Sequence, residues 1–180
     1  MNMLTKLTSR KTSQRGFTLM EVLVATVILM TGVVAVAQLV PVAVTANNAS
    51  RRDSTALVIA QRELSQMLEQ SLSTFAFTDA LGNACSLGNA ATPGVTVGSP
   101  IVVIANRPTI NYGVAQTAGY GFTTLADPED PYSAQYDVRW AVITDGNGTT
   151  ASSRRIIISA RLLRGNGFTL PLTLDAMVQQ

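Results

Sequence analysis

Glu21 is the first acidic residue of the chain, and it stands in the segment RGFTLMEVLVATVILM (Arg15–Met30), four residues past Phe17 in an otherwise apolar run. A carboxylate in such a setting has one chemistry open to it, which is to meet a cation. Left alone in hydrocarbon it costs ~2.5–3.5 kcal/mol on insertion scales, and residues of this kind are usually paired and functional. Reactive side chains are otherwise sparse. The chain has no histidine, and Cys85 is its single cysteine. That excludes His-based triads, His-ligated metals and an intrachain disulfide, and Cys85 reads as an inert side chain. Asp127, Glu129 and Asp130 gather on the DPEDP stretch, and hard cations use clustered carboxylates on loops. The spacing matches no defined calcium loop, so an exposed acidic turn is the simpler reading. No metal and no cofactor is expected, and no catalytic constellation is visible, so no enzymatic activity is expected.

Charge is distributed unevenly. The 180 residues carry 13 Lys and Arg against 11 Asp and Glu. Lys6, Arg10, Lys11 and Arg15 supply all the early charge, and beyond Phe17 there are 9 arginines, no lysine and 11 acids. The basic balance therefore belongs to the N-terminal tip, an arrangement that points to membrane targeting rather than to nucleic acid. Arg154, Arg155, Arg161 and Arg164 cluster later. On a strand, Arg155 and Arg161 share one face while Arg154 and Arg164 share the other, and no aromatic residues interleave with them, so nucleic-acid binding is not expected.

These residues must be positioned by a long apolar element. Val22–Ser50 contains no charge, and the 25 residues Val22–Ala46 are mostly Val, Ala, Leu, Ile, Thr and Met. At ~1.5 Å per residue they make a helix of ~37 Å, longer than the ~30 Å hydrocarbon core of a bilayer. A cleavable signal sequence has a shorter apolar core with its small-residue cleavage site beyond it. Here the run is longer and Gly16 precedes it. Four basic residues lie before the run, which favours an N-in, C-out orientation, although Arg51 and Arg52 reduce the contrast. Pro41 removes an intrahelical hydrogen bond and is expected to kink or loosen the helix. Apolar residues then recur at three- and four-residue steps (Leu57, Leu64, Met67 or Leu68, Leu72), with Arg62, Glu63, Glu69 and Gln70 at other positions. One nearly continuous helix over 17–75 is expected, apolar all round in its first half and amphipathic in its second.

Residues 76–100 are rich in Gly, Asn, Ser, Pro and Thr and read as loop. Ile101–Ala105 reads as a strand. In Tyr136–Thr144, Tyr136, Val138, Trp140 and Val142 alternate with Asp137 and Arg139, the pattern of a half-buried strand with Trp140, Tyr136 and Val142 in the core. Asp145–Gly148 (DGNG) is a turn signal, Arg154–Arg164 the returning strand, Gly165–Gly167 a second turn, and Phe168–Leu174 a last strand that Pro171 assigns to an edge. Three antiparallel strands, or four with Ile101–Ala105, make a sheet with one face to cover, and the amphipathic half-helix has one face to bury. The expected fold class is α+β.

RGFTLMEVLVATVIL resembles the N-terminus of type IV prepilins and type II secretion pseudopilins: a short basic leader ending in Gly, then Phe, Thr, Leu, a variable residue and Glu, then a long apolar helix. Gly16, Phe17, Thr18, Leu19 and Glu21 match those positions. The texture of the helix is similar to minor pilins of the PilV type, with GspI-like pseudopilins as second choice. The resemblance implies a pilin-like fold, with residues 1–16 as a leader, 17–75 as the long helix (17–46 in membrane or filament core) and 76–180 as a periplasmic or extracellular β-domain. It implies that prepilin peptidase cuts between Gly16 and Phe17 and methylates the new amine of Phe17, and that Glu21 meets the N-terminal amine of an adjacent subunit during assembly. It implies as partners other pilins through the N-terminal helix and an inner-membrane assembly platform. The protein would rest in the bacterial inner membrane before entering a pilus or periplasmic pseudopilus. The implied function is that of a minor type IV pilin, with a minor pseudopilin as alternative. An adhesive or ligand-binding tip protein, using residues 76–135, is an alternative of another class.

Overall fold

The computed structural model describes residues 16–163 and 170–179. The basic leader residues, Arg164, the Gly165–Gly167 turn and Phe168 lie outside the described residues. The chain forms two compact units that divide between Ala46 and Asn47. Helix α1, Leu19–Leu68, is one element of 50 residues and contributes to both.

In the first unit α1 is apolar on every side and exposed throughout. Pro41 lies inside it and the helix is continuous through that position.

The second unit is an antiparallel sheet with the C-terminal half of α1 on one face. The sheet is built on two 12-residue strands, β7 (Gln135–Gly146) and β8 (Ala151–Leu162), joined by a tight turn. Strand β9 (Leu172–Gln179) follows β8 at one edge. Along the other edge of β7 lie β3 (Thr96–Gly98), paired with Ala141–Ile143, and β6 (Gly121–Leu125), paired with Gln135–Arg139. The alternation in β7 has the expected effect. Tyr136, Val138, Trp140 and Val142 are buried on one face with Ile156, Ile158 and Ala160 of β8, against Ala56, Ile59, Ala60 and Met67 of α1. Gly98 closes this arrangement at the end of β3. Its φ is +103°, and a Cβ there would lie 2.5 Å from the Tyr120 ring and 2.8 Å from the Trp140 carbonyl oxygen. Only glycine meets both demands. The fold class is α+β, as expected.

Several expectations need correction. The helix ends at Leu68, not near Phe75. The buried stripe on α1 runs through Ala56, Ile59, Ala60, Glu63 and Met67, so small residues and one carboxylate form its centre, with Leu64 and Leu68 at its margin. The stripe is thus centred on Ala56 and Ala60, with Leu57 only half-buried beside it. Region 76–100 is not all loop: β1 (Ala76–Thr78) and β2 (Ala84–Ser86) form a hairpin. Strand β4 (Ile101–Ile104) does not join the main sheet but pairs with β5 (Arg107–Ile110). Ala105 and Asn106, with φ of 49° and 61°, make the turn between them, both central residues having the positive φ that a tight hairpin requires.

The sheet also has a second face to cover. Ile110 packs there on Ala141 and Ile157, flanked by Ile101 and Tyr112. Asp137 and Arg139 are therefore buried rather than solvated. Arg139 Nε lies 3.0 Å from both oxygens of Asp137, and its Nη1 donates to the Val114 carbonyl at 2.7 Å. The Tyr112 ring sits 4.9 Å from the Arg139 guanidinium and 4.3 Å from that of Arg161. Burial pushes the Tyr112 phenol above its usual range.

Arg154 explains where the helical path stops. It is buried, and its guanidinium donates to the carbonyls of Ser71, Leu72 and Thr74 at 3.3, 2.9 and 2.7 Å. The Ser71 carbonyl also accepts the Thr74 N–H at 2.9 Å, so it is the Leu72 and Thr74 carbonyls that depend on Arg154. Arg154→Met is expected to cost about 2–4 kcal/mol, because it leaves the Leu72 and Thr74 carbonyls unpaired. Arg154→Lys should recover only part of this, having no planar fork. Denaturant unfolding of the full-length protein in detergent checks both variants.

Candidate functional site

The candidate site is the start of α1. Thr18 caps it: the Glu21 N–H donates to Thr18 Oγ1 at 3.3 Å and to the Thr18 carbonyl at 3.0 Å, and Val22 N–H reaches the same carbonyl at 3.2 Å. The T-x-x-E spacing of Thr18 and Glu21 is that of a helix N-terminal capping box, a signal local to the sequence. The cap places Glu21 in the first turn, where the helix dipole favours a negative charge by ~0.3–1 kcal/mol. Phe17 and Gly16 precede the helix, and Phe17 is 78 % exposed. Apart from its chain neighbours, no atom of the described residues lies within 4 Å of where a Gly16 Cβ would be. The Gly16–Phe17 peptide is thus an open backbone segment, and Glu21 is exposed one helical turn beyond it.

Beyond Glu21 the helix is suited to a surrounding that cannot hydrogen-bond. Thr26, Thr31 and Thr45 donate their hydroxyls to the carbonyls of Leu23, Ile28 and Val42 at 2.8–2.9 Å. These three hydroxyls are thereby satisfied within the helix, as a lipid or a dry packed core requires. By length and composition α1 can cross a membrane. Pro41 stands inside the helix, 20 residues after Glu21.

The other residues weighed from sequence are placed as follows. Asp127, Glu129 and Asp130 lie on an exposed turn that hydrogen-bonds to itself: Asp127 Oδ1 accepts the Glu129 N–H and Asp130 Oδ1 the Tyr132 N–H. Among the described residues no group of three or more His, Cys, Asp or Glu is placed to hold a metal ion. Cys85 is buried and its thiol is pushed up to about 12, chiefly by desolvation. Arg155 pairs with Asp175 across β8 and β9, and Arg161 lies 3.6 Å from Asp137. Together with Arg154, these arginines bind their own chain. Trp140 is core: its Nε1–H donates to the Ser86 carbonyl at 2.9 Å. The sequence reading missed Glu63, a fully buried carboxylate.

Residues 11–37 match the model of the prokaryotic N-terminal methylation motif. No curated protein and no solved structure shows a significant match to the chain. The motif supports a type IV pilin- or pseudopilin-like prepilin, a structural subunit type rather than an enzyme class. It implies processing by prepilin peptidase and assembly with pilin-type subunits, and with the apolar helix it is consistent with inner-membrane anchoring.

Proposed function

We propose that the chain is a minor type IV pilin, a subunit that is inserted in the inner membrane N-in and C-out, processed, and built into a pilus or the complex that initiates one. On this reading residues 1–16 are the leader, prepilin peptidase cuts the Gly16–Phe17 bond, and the freed Phe17 amine is methylated. The observation that carries the reading is the placement of Glu21: an exposed carboxylate one turn after Phe17, at the head of a helix that is apolar and uncovered on all sides through Ala46. Cleavage puts a cation on Phe17. In a packed apolar core of such helices each subunit's Glu21 can meet the Phe17 amine of its neighbour. With little screening, only one axial stagger satisfies both charges, so the pair sets register. The sheet-bearing unit, from Asn47 onward, supplies the periplasmic or extracellular surface.

A minor pseudopilin of a type II secretion system would share the same N-terminal chemistry. Fractionation of the native host separates the two. The processed chain is expected in surface filaments released by shearing. Its confinement to the envelope fraction, with sheared filaments free of it, would contradict the pilus assignment and favour the secretion pseudopilus.

A further inference from the structure

Glu63 occupies the centre of the helix stripe that faces the sheet, and its side chain has no exposure to solvent. One oxygen, Oε1, accepts from Arg62 at 2.9–3.0 Å; the Arg62 guanidinium itself is 41 % exposed. The other, Oε2, is buried with no donor against it. A second carboxyl, that of Asp79, lies beside Glu63, on the turn whose Ala80 N–H donates to Gln66 Oε1 of the same helix at 2.8 Å. Asp79 begins the β1–β2 turn and is itself buried. Its oxygens are filled by the turn. Oδ1 accepts the N–H groups of Leu81 and Asn83 at 2.9 and 2.6 Å, and Oδ2 accepts the Asn83 side-chain amide at 2.7 Å. Three N–H donors on one carboxyl group are the arrangement of an ionised acceptor. Two adjacent carboxylates would leave Oε2 both unsatisfied and repelled, whereas one proton between them removes both costs.

We propose that Glu63 is held protonated in the folded protein and donates Oε2–H to the Asp79 carboxylate, so that a single shared proton latches the β1–β2 turn to helix α1 and its loss releases the turn. The same turn has a second, weaker attachment one helical turn further on, where the Ala80 N–H donates to Gln66 Oε1 at 2.8 Å. The charged and titratable groups around Glu63 are Arg62 on its own helix, Asp79 on the turn and Cys85 on β2. Burial acts most strongly on Glu63 and raises its pKa above 4.5; Asp79 acts in the same direction, and Arg62 opposes both. Arg62 is open to solvent, which screens its opposition. The Cys85 thiol is neutral throughout the physiological range and adds no charge.

The consequence has a definite sign. A carboxyl whose folded pKa is raised binds its proton more tightly in the folded state. The latch is therefore at full strength below about pH 4.5 and weakens as pH rises through the folded pKa. It holds in acid and loosens in alkali. This inference does not depend on the pilin assignment.

Cys85 provides the readout. It is the only thiol in the chain, it lies beside the turn with its sulfur 3.6 Å from the Asn83 carbonyl, and it is buried. Full-length protein in detergent is alkylated with iodoacetamide across a pH series, and each rate is divided by that of the denatured protein at the same pH. The protection of the wild type is expected to fall by up to roughly tenfold per pH unit above about 4.5, levelling off beyond the folded pKa. Glu63→Gln keeps an N–H donor toward Asp79 and an oxygen toward Arg62, so its protection should lack that fall. Wild-type protection that is flat or rises with pH, or a Glu63→Gln variant that shows the same fall as wild type, would overturn the proposal. If the variant does not fold, the infrared spectrum of the wild type at about pH 6, where surface carboxyls are ionised, decides the matter. A carboxylic-acid carbonyl band that titrates together with the loss of protection supports the latch, and its absence refutes it.

Discussion

Trp140→Ala is expected to lower the stability of the sheet-bearing unit by ~3–5 kcal/mol. Trp140 is fully buried, and it joins three parts of that unit. Its ring meets Phe122 of β6 edge-on at 6.0 Å and lies 6.3 Å from Tyr120. Its indole N–H is spent on the Ser86 carbonyl of β2, which ties the β1–β2 hairpin to the central strand. Truncation opens a cavity that neighbours pinned in ladders cannot refill, and it removes the donor of the half-buried Ser86 carbonyl. Trp140→Phe separates the two terms. It keeps most of the packing and removes the hydrogen bond, and should cost about 1–3 kcal/mol. Circular dichroism in a denaturant series measures both variants, since the alanine variant loses the only tryptophan. A cost below ~1 kcal/mol for Trp140→Ala would mean that this ring is not the keystone its position implies.

Glu21→Gln is expected to leave the Gly16–Phe17 cut intact and to abolish incorporation. The substitution keeps size and helix position but removes the charge that the Phe17 amine is proposed to meet. Breaking a buried ion pair by removing one partner costs ~3–5 kcal/mol, which is roughly two to four decades in an assembly equilibrium. The amount of processed variant in membranes, compared with that in assembled filaments, gives the ratio. Normal incorporation would mean that Glu21 serves only the helix terminus through Thr18 and the dipole. Loss of processing together with incorporation would place its role at the peptidase step instead.

What could be read from the chain beforehand follows from how local each determinant is. The N-terminal pattern at Gly16–Glu21 is contiguous, so its chemistry could be stated without a fold. Strands β7 and β8 announced themselves because alternating burial leaves a period of two and DGNG marks the turn between them. The path just past Leu68 is not legible locally, because the carbonyls of Ser71, Leu72 and Thr74 are held by an arginine some 80 residues away. Short strands such as β1, β2 and β3 exist through their partners, and three residues carry too little pattern of their own. Glu63 reads as a polar-face residue by type, because charged residues are almost never fully buried unless paired. Its partner, Asp79, comes from a turn that looked like loop. The second sheet face stayed hidden for the same reason: Asp137 and Arg139 are polar by type, yet they satisfy each other beneath Tyr112.

The central claim is that this chain is cut before Phe17 and assembles through the helix that then begins there. Intact mass and N-terminal analysis of the protein from its native host, with and without prepilin peptidase, tests it most directly. The account predicts a chain that starts at N-methylated Phe17 when the peptidase is present and retains its leader when it is absent. A chain that starts at Met1 in peptidase-positive cells would contradict it.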